Sequence, residues 1–390
     1  MGLRPEGHSP LGASGAYRWL PPPYGGGCTA SVALTMGIED EESEFASEGT
    51  NAHTLADLCL VSGIDAWTMI GEGQELTVTP DMAIAVQVYL DWVRTTFPNR
   101  NQGNFFVERG FYCPNLHEKF WGMSDLAHID EDNGVLDVCD YKHGAGIVVE
   151  VPNNPQIMYY ACGVLEELDL WAKISTVNLH IAQPRGWHKD GDIRSWSIST
   201  LDLEEWLDSV LLPGMDETAV SHDTNSGEHC RFCTARGMGC PQIIQDFIEL
   251  EELMDQMEAA EELTNEQLGR FLDLFDVAKV ANKAHGKKAY QRAMSDSPVP
   301  GRKLVKAKSN REFKKGADKE ALDKFGAEAM TKPVVKSPAQ IEKLAGGESF
   351  CARWSEKPDK GLCLAKSADN RAEINRDTKS MFQPMQKKGK

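Results

Sequence analysis

Residues 121–144 read WGMSDLAHIDEDNGVLDVCDYKHG, a stretch whose residue types suit metal-assisted chemistry on a phosphate. Asp125 opens one short β-rich run and Asp140 closes the next, with DEDNG at 130–134 as turn chemistry between them. Two neighbouring antiparallel strands would bring both carboxylates to one end of a sheet. Hard oxygen ligands with open positions suit Mg²⁺ or Mn²⁺. Lys142 follows Asp140 by two residues, and on a strand such a pair shares a face. A lysine there can orient a metal-bound water and offset the charge that builds on the phosphate. Asp137 falls on the opposite face, where solvation is expected. Gln156 and Tyr160 are four apart on a predicted helix and share one face. Both can hydrogen-bond a phosphate, a metal-bound water or the lysine.

A second set of reactive residues is the cysteines. HCRFCTARGMGC places Cys230, Cys233 and Cys240 close together in the chain. Three thiolates call for a fourth ligand, with His229 and Cys28 as the options. Structural zinc and iron–sulfur clusters both take four. The N-terminus, MGLRPEGHSPLGASG, has no apolar core behind its charges, so no export signal is read and a reducing cytoplasm is expected. Clustered cysteines there bind metal more often than they form disulfides. Cys59, Cys139 and Cys162 lie in apolar surroundings and read as small core residues.

The elements that position these groups follow from pattern. Residues 1–30, with PPPYGGG at 21–27, read as an irregular arm. The spacing predicts helices over 44–62 and 80–97, the second begun by Pro80. Strands are predicted over 105–112, 124–129, 135–142 and 177–183. Further helices are predicted over 153–168, with Pro155 in the first turn, and over 201–212. A mixed sheet flanked by helices is the economical α/β architecture. Residues 242–295 read as two helices, and 335–347 holds one short helix. The expected division is 1–245, a helical segment 246–296, and a basic, partly flexible region 297–390.

The net charge of −18 hides a split. Residues 1–280 carry 15 basic and 46 acidic side chains, whereas residues 281–390 carry 26 and 13. An acidic body with a basic tail suits contact with a polyanion through the tail. PGRKLVKAKSNR at 300–311 concentrates Arg302, Lys303, Lys306, Lys308 and Arg311, each able to release a counterion from a phosphate. A solubilising tail is the alternative. The acidic body should repel duplex DNA, which favours ends or single strands. No apolar run approaches the ~18 residues that span a membrane.

Taken in order, Gly122-x-x-Asp125, Asp140-Tyr141-Lys142-His143-Gly144 and Gln156-x-x-x-Tyr160 resemble the PD-(D/E)xK nucleases in their RecB-like branch. Gly49-Thr50-Asn51-Ala52-His53 resembles the early histidine of that branch. The resemblance implies a restriction-endonuclease-like core with a helical, cysteine-clustered extension and a basic C-terminal region. It implies that His53, Asp125, Asp140 and the main-chain carbonyl of Tyr141 hold Mg²⁺ or Mn²⁺. Lys142 would position the attacking water, and Gln156 and Tyr160 would support it. A subset of the branch carries a [4Fe–4S] cluster on one cysteine before the core and three after it. Cys28, Cys230, Cys233 and Cys240 have that order, with zinc as the alternative. Over most of its length the chain also resembles phage and prophage proteins, on GASGAYRWL at 12–20, PGRKLVKAKSNREF at 300–313 and SPAQIEKL at 337–344. Together these resemblances imply a metal-dependent DNA nuclease, an exonuclease serving phage DNA replication, recombination or repair in the host cytoplasm. Phage replication or recombination proteins would be its partners. A non-catalytic DNA-binding scaffold and a structure-specific endonuclease are the competing readings.

Overall fold

The computed structural model describes residues 5, 7–38, 44–72, 76–99, 103–237, 239–258, 262–295, 297, 299–307, 311–314, 316–326, 330–331, 334–335, 338–342, 344–356, 358–359, 361–366 and 374. The chain divides into two compact units, Met1–Ala281 and Asn282–Lys390.

The first unit opens with α1 (Ala13–Trp19) and α2 (Ala30–Thr35). The arm is therefore not irregular throughout. Ala13, Ala16 and Trp19 recur at helical spacing and are buried, which outweighs the surrounding glycines and prolines. Two long helices follow, α3 (Glu44–Ser62) and α4 (Pro80–Thr96), with a two-residue ladder of β1 (Gly71–Glu72) and β2 (Thr77–Val78) between them. Thr79 starts α4 by accepting the Met82 N–H on its hydroxyl at 3.2 Å, with Pro80 in the first turn.

Five strands form the central sheet in sequence order: β3 (Phe105–Tyr112), β4 (Trp121–Asp130), β5 (Val135–Tyr141), β6 (Thr176–Ala182) and β7 (Ile193–Ser199). All pairs are antiparallel except β5 with β6. A parallel pair needs a crossover, and α5 (Pro155–Glu167) supplies it. Asn154 caps α5 by accepting the N–H groups of Gln156 and Ile157 at 3.0 and 3.4 Å. The architecture is a mixed α/β sheet flanked by helices. Strand β7 is absent from the sequence reading. Its IRSWSIS carries little apolar signal because most of its side chains are only partly covered.

Each sheet face has its own core. Ala127, Ile129, Leu136, Val138, Leu179 and Ile181 pack under α5 and α1. Leu126, Cys139, Tyr141 and Ala182 pack under α3 and α4. Strand β5 is covered on both faces and is buried from Leu136 to Tyr141. Phe111 fits between two glycines: a Cβ on Gly122 would meet its ring at 2.8 Å, and one on Gly163 would come closer still. That contact pins α5 to β3 and β4. Cys59, Cys139 and Cys162 are fully buried, as their surroundings suggested.

The helix predicted at 201–212 is α6 (Thr200–Trp206), followed by a π-turn at Leu207–Leu211 and α7 (Leu212–Val220). Beyond the cysteine triplet, α8 (Pro241–Glu258) and α9 (Asn265–Met294) are the two expected helices. Arg270 ties them by pairing with Glu249 at 2.7 Å and Asp246 at 3.2 Å. The boundary between the two units falls within α9.

The second unit contains β8 (Arg302–Lys306), β9 (Glu312–Phe313), α10 (Ala317–Phe325), β10 (Met330–Thr331), β11 (Val334–Val335), α11 (Pro338–Ile341), α12 (Gly347–Trp354), β12 (Ser355–Glu356) and β13 (Leu362–Lys366). It has a small core of Ala317, Ala321, Ile341, Phe350 and Cys351. No described helix is long and apolar enough to cross a membrane.

Candidate metal centre

Strand register builds the site. In the β3–β4 ladder Val107 pairs with Leu126 and Arg109 with Ser124, so Glu108 stands opposite Asp125. In the β4–β5 ladder the last pair is Leu126 with Cys139, which sets Asp125 opposite Asp140. The three carboxylates thus form a row across three strands. Asp125 has left both ladders. Its Oδ2 instead accepts the Tyr141 N–H at 2.7 Å. Glu108 sits at φ +50°, a left-handed conformation that costs a non-glycine residue about 1–3 kcal/mol.

Helix α3 brings His53 over this row. Its Nδ1 lies 3.6 Å from Asp125 Oδ2, and its ring meets Tyr141 edge-on at 5.5 Å. Donor atoms of His53, Glu108 and Asp125 lie within 4.8 Å of one another. The electrostatics fit a cation. Burial pushes the Glu108 carboxyl up to about 7, and the Asp125 charge adds to the push while His53 opposes it. Burial also raises Asp125, with His53 and Lys142 pulling down and Asp140 pushing up. Burial and neighbouring negative charge thus disfavour ionisation of Glu108 and Asp125, and a divalent ion removes that conflict. An imidazole beside carboxylates suits Mn²⁺ at least as well as Mg²⁺.

Lys142 stands on the Asp140 side. Its Nζ lies 2.8 Å from Asp140 Oδ2 and donates to Gln156 Oε1 at 3.0 Å. Gln156 Nε2 in turn donates to the Tyr160 hydroxyl at 3.0 Å and lies 3.4 Å from Asp140 Oδ1. Asp140 is 2% exposed, and among the described residues its Oδ2 has no hydrogen-bond partner beyond that ion pair. Burial holds the Tyr160 phenol protonated by raising it far above its ordinary value. The structure therefore gathers His53, Asp125, Asp140, Lys142, Gln156 and Tyr160, and of the Tyr141 main chain it is the N–H that meets Asp125.

Glu108 is the residue that sequence reasoning missed. FFVERGFY reads as an ordinary strand, and a lone charge in it suggests a solvated edge. The informative signal is register: Glu108 is as far before the β3–β4 turn as Asp125 is after it.

Asp137 corrects the expectation of solvation. It is buried on the opposite face, beneath the aromatic rings of α4. Burial alone would raise its pKa. Hydrogen bonds from His128 (3.2 Å), His180 (3.2 Å) and Asn178 (3.0 Å) outweigh that and hold it below the ordinary carboxylate range.

The cysteines converge from opposite ends of the first unit. Asn225 Nδ2 donates to Gly26 O at 2.7 Å, and the Cys28 thiol bonds the Asn225 main chain. Cys230 Sγ lies 4.0 Å from the carbonyl oxygen of Asn225. Burial raises the Cys230 thiol to about 11, with Cys233, Cys28 and Cys240 adding to the rise. Among the described residues no three cysteine sulfurs come within 4.8 Å of one another. His229 stands beside them, its Nε2 2.9 Å from Asn225 O. The four thiols share one region without closing on a point.

In the second unit, Arg302, Lys303 and Lys306 lie on β8, paired with β13. Arg311 is committed to a two-pronged ion pair with Glu342. Lys308 lies outside the described residues.

Fold and site define a mixed α/β protein with a histidine–carboxylate cluster beside a held lysine. Residues 8–372 match the family described as "Protein of unknown function (DUF2800)", and the chain belongs to that family. No solved structure matches it.

Proposed function

We propose that this chain is a metal-dependent deoxyribonuclease of the RecB-like PD-(D/E)xK type, acting as an exonuclease on DNA ends or single strands. The observation that carries the reading is the alignment of Asp125 and Asp140 across β4 and β5, with Lys142 fixed against Asp140 by Gln156. His53, Glu108, Asp125 and Asp140 would hold Mg²⁺ or Mn²⁺. When bound, the ion supplies Lewis acidity toward a phosphate oxygen and lowers the pKa of water.

The chain's own residues do the rest. Gln156 points its carbonyl at Lys142 because its NH₂ is engaged by Tyr160. That holds the ammonium of Lys142 against Asp140, where it orients the attacking water and faces the charge that grows on the phosphate. The covered β5 floor keeps bulk water from the buried side of Asp140.

Cys28, Cys230, Cys233 and Cys240 would form a structural [4Fe–4S] centre joining the N-terminal arm to the end of the first unit. The order of one cysteine before the core and three after it, which resembles the iron–sulfur subset of these nucleases, is what supports iron over zinc. A setting in phage replication or recombination rests on the sequence resemblance alone.

The test is end-labelled single- and double-stranded DNA incubated with Mg²⁺ or Mn²⁺, with Lys142→Ala as control. Release of labelled nucleotides by wild type and not by the variant supports the reading. No degradation, or equal degradation by both, favours a scaffold. Cleavage of circular single strands identifies an endonuclease.

A further inference from the structure

The hairpin joining β6 to β7 leaves the sheet at the end where Asp140 and Lys142 lie, because β5 and β6 run parallel and Lys142 N–H bonds Ala182 O at 2.8 Å. Ligands of open α/β sheets gather outside these carboxyl ends. The hairpin is firmly held. Gln183, 1% exposed, donates to Gly144 O and Ile147 O at 2.9 and 2.6 Å and accepts from Val149 N–H and Arg194. It thereby ties the hairpin to the segment that follows Lys142. A Cβ on Gly186 would strike the Gln183 side chain at 2.7 Å, so the turn lies tight against it. Arg185 is fixed to His143 at 2.6 Å and to Glu48 at 2.8 Å, and His188 to Glu150 at 3.4 Å.

Between these anchors Trp187 is 84% exposed, the most exposed of the large hydrophobic side chains among the described residues. Both of its neighbours are pinned, so a fixed backbone presents the indole to solvent. Leaving so large an apolar ring in water forgoes its burial. Lys189 beside it is exposed and has no ion pair among the described residues. Asp190, Asp192 and Glu150 share this rim, so net attraction for phosphate is small and the ring must supply the contact.

We infer that Trp187 is a base-stacking platform for single-stranded nucleic acid, seating the nucleotide next to the one at the Asp140–Lys142 site. This rests on the nuclease reading for its place in the reaction, and on the hairpin geometry for the contact itself. Every base has a flat π-face, so the contact is tolerant of sequence and selects unpaired over paired strands.

The experiment measures fluorescence anisotropy of labelled oligothymidylate and of an abasic backbone of equal length, in Ca²⁺, with the full chain. Wild type, Trp187→Ala and Trp187→Phe are compared, alongside the end-labelled cleavage assay in Mn²⁺. Stacking on one base sets the expected loss for Trp187→Ala at about 5- to 150-fold in affinity, with Trp187→Phe retaining most of it. The abasic strand should bind weakly and equally to all three. Equal oligothymidylate binding by wild type and Trp187→Ala overturns the platform while leaving the nuclease reading to the cleavage arm. Trp187-dependent binding without metal-dependent cleavage keeps the platform and overturns the nuclease. Absence of both overturns both.

Discussion

Glu108 stands across the sheet from Asp125, in register with it but off the hydrogen-bond ladder, at φ +50°. A glutamate in a left-handed conformation inside a strand is strained, and the strain delivers its carboxylate to His53 and Asp125. Replacing it by glutamine separates two roles. Glu108→Gln should weaken Mn²⁺ binding by at least about tenfold, by analogy with residues that tune a metal site. In the metal-free protein it should leave the melting temperature unchanged or raised, because a crowded carboxylate is gone. Titration followed by Mn²⁺ electron paramagnetic resonance reads the first, and a thermal melt in chelator reads the second. Unchanged Mn²⁺ affinity removes Glu108 from the site.

The lysine and its holder should differ in scale. Lys142→Ala should lower DNA cleavage by about 10²–10³-fold, the size of losing one charge-stabilising donor. Gln156→Ala should cost about 10–100-fold, since it acts through Lys142. Single-turnover rates at saturating Mn²⁺ measure both. An equal loss in the two variants would place Gln156 in direct contact with substrate.

For the cysteine centre, protein purified without air should be brown and carry iron. Cys233→Ser should bleach it and lower its melting temperature, read by visible absorbance and elemental analysis. Colourless wild type holding stoichiometric zinc would replace the cluster with a zinc site.

Asp137 sets an acid limit on stability. Its pKa is held below the ordinary carboxylate value of about 3.9, so its contribution is fully present above that value and is lost as pH falls through the folded-state pKa. Urea midpoints measured from neutral pH downward should therefore drop below about pH 4. Asp137→Asn should flatten that drop and cost about 1–3 kcal/mol near neutrality, by leaving His128 and His180 with a weaker acceptor.

Gly163→Ala tests how α5 is seated. The added methyl meets the Phe111 ring, which is buried and also faces Gly122. Overpacking of this kind costs about 1–3 kcal/mol. Phe111→Leu in the same chain should recover part of it, giving a coupling energy in a double-mutant cycle.

Several parts of this protein were legible because they are local. Two carboxylates flanking a turn, a lysine two residues on and a Gln–Tyr pair one helical turn apart depend only on the periods of strand and helix. The sequence by itself therefore determined the Asp125–Asp140–Lys142 pattern and the face that Gln156 and Tyr160 share. Long-range pairing decided the rest. Glu108 joins the site only through the β3–β4 register and one reversed φ, neither of which composition encodes. Asp137 is buried because helix α4 and two histidines from neighbouring strands close over it. Arg311 pairs with Glu342, a partner that only the folded chain brings to it. Cys28 and Cys230 meet at the Asn225 main chain although some two hundred residues separate them. Hydrophobic pattern chooses which face of an element is buried. Which charged group stands opposite which is settled by register and packing, and those exist only in the folded chain.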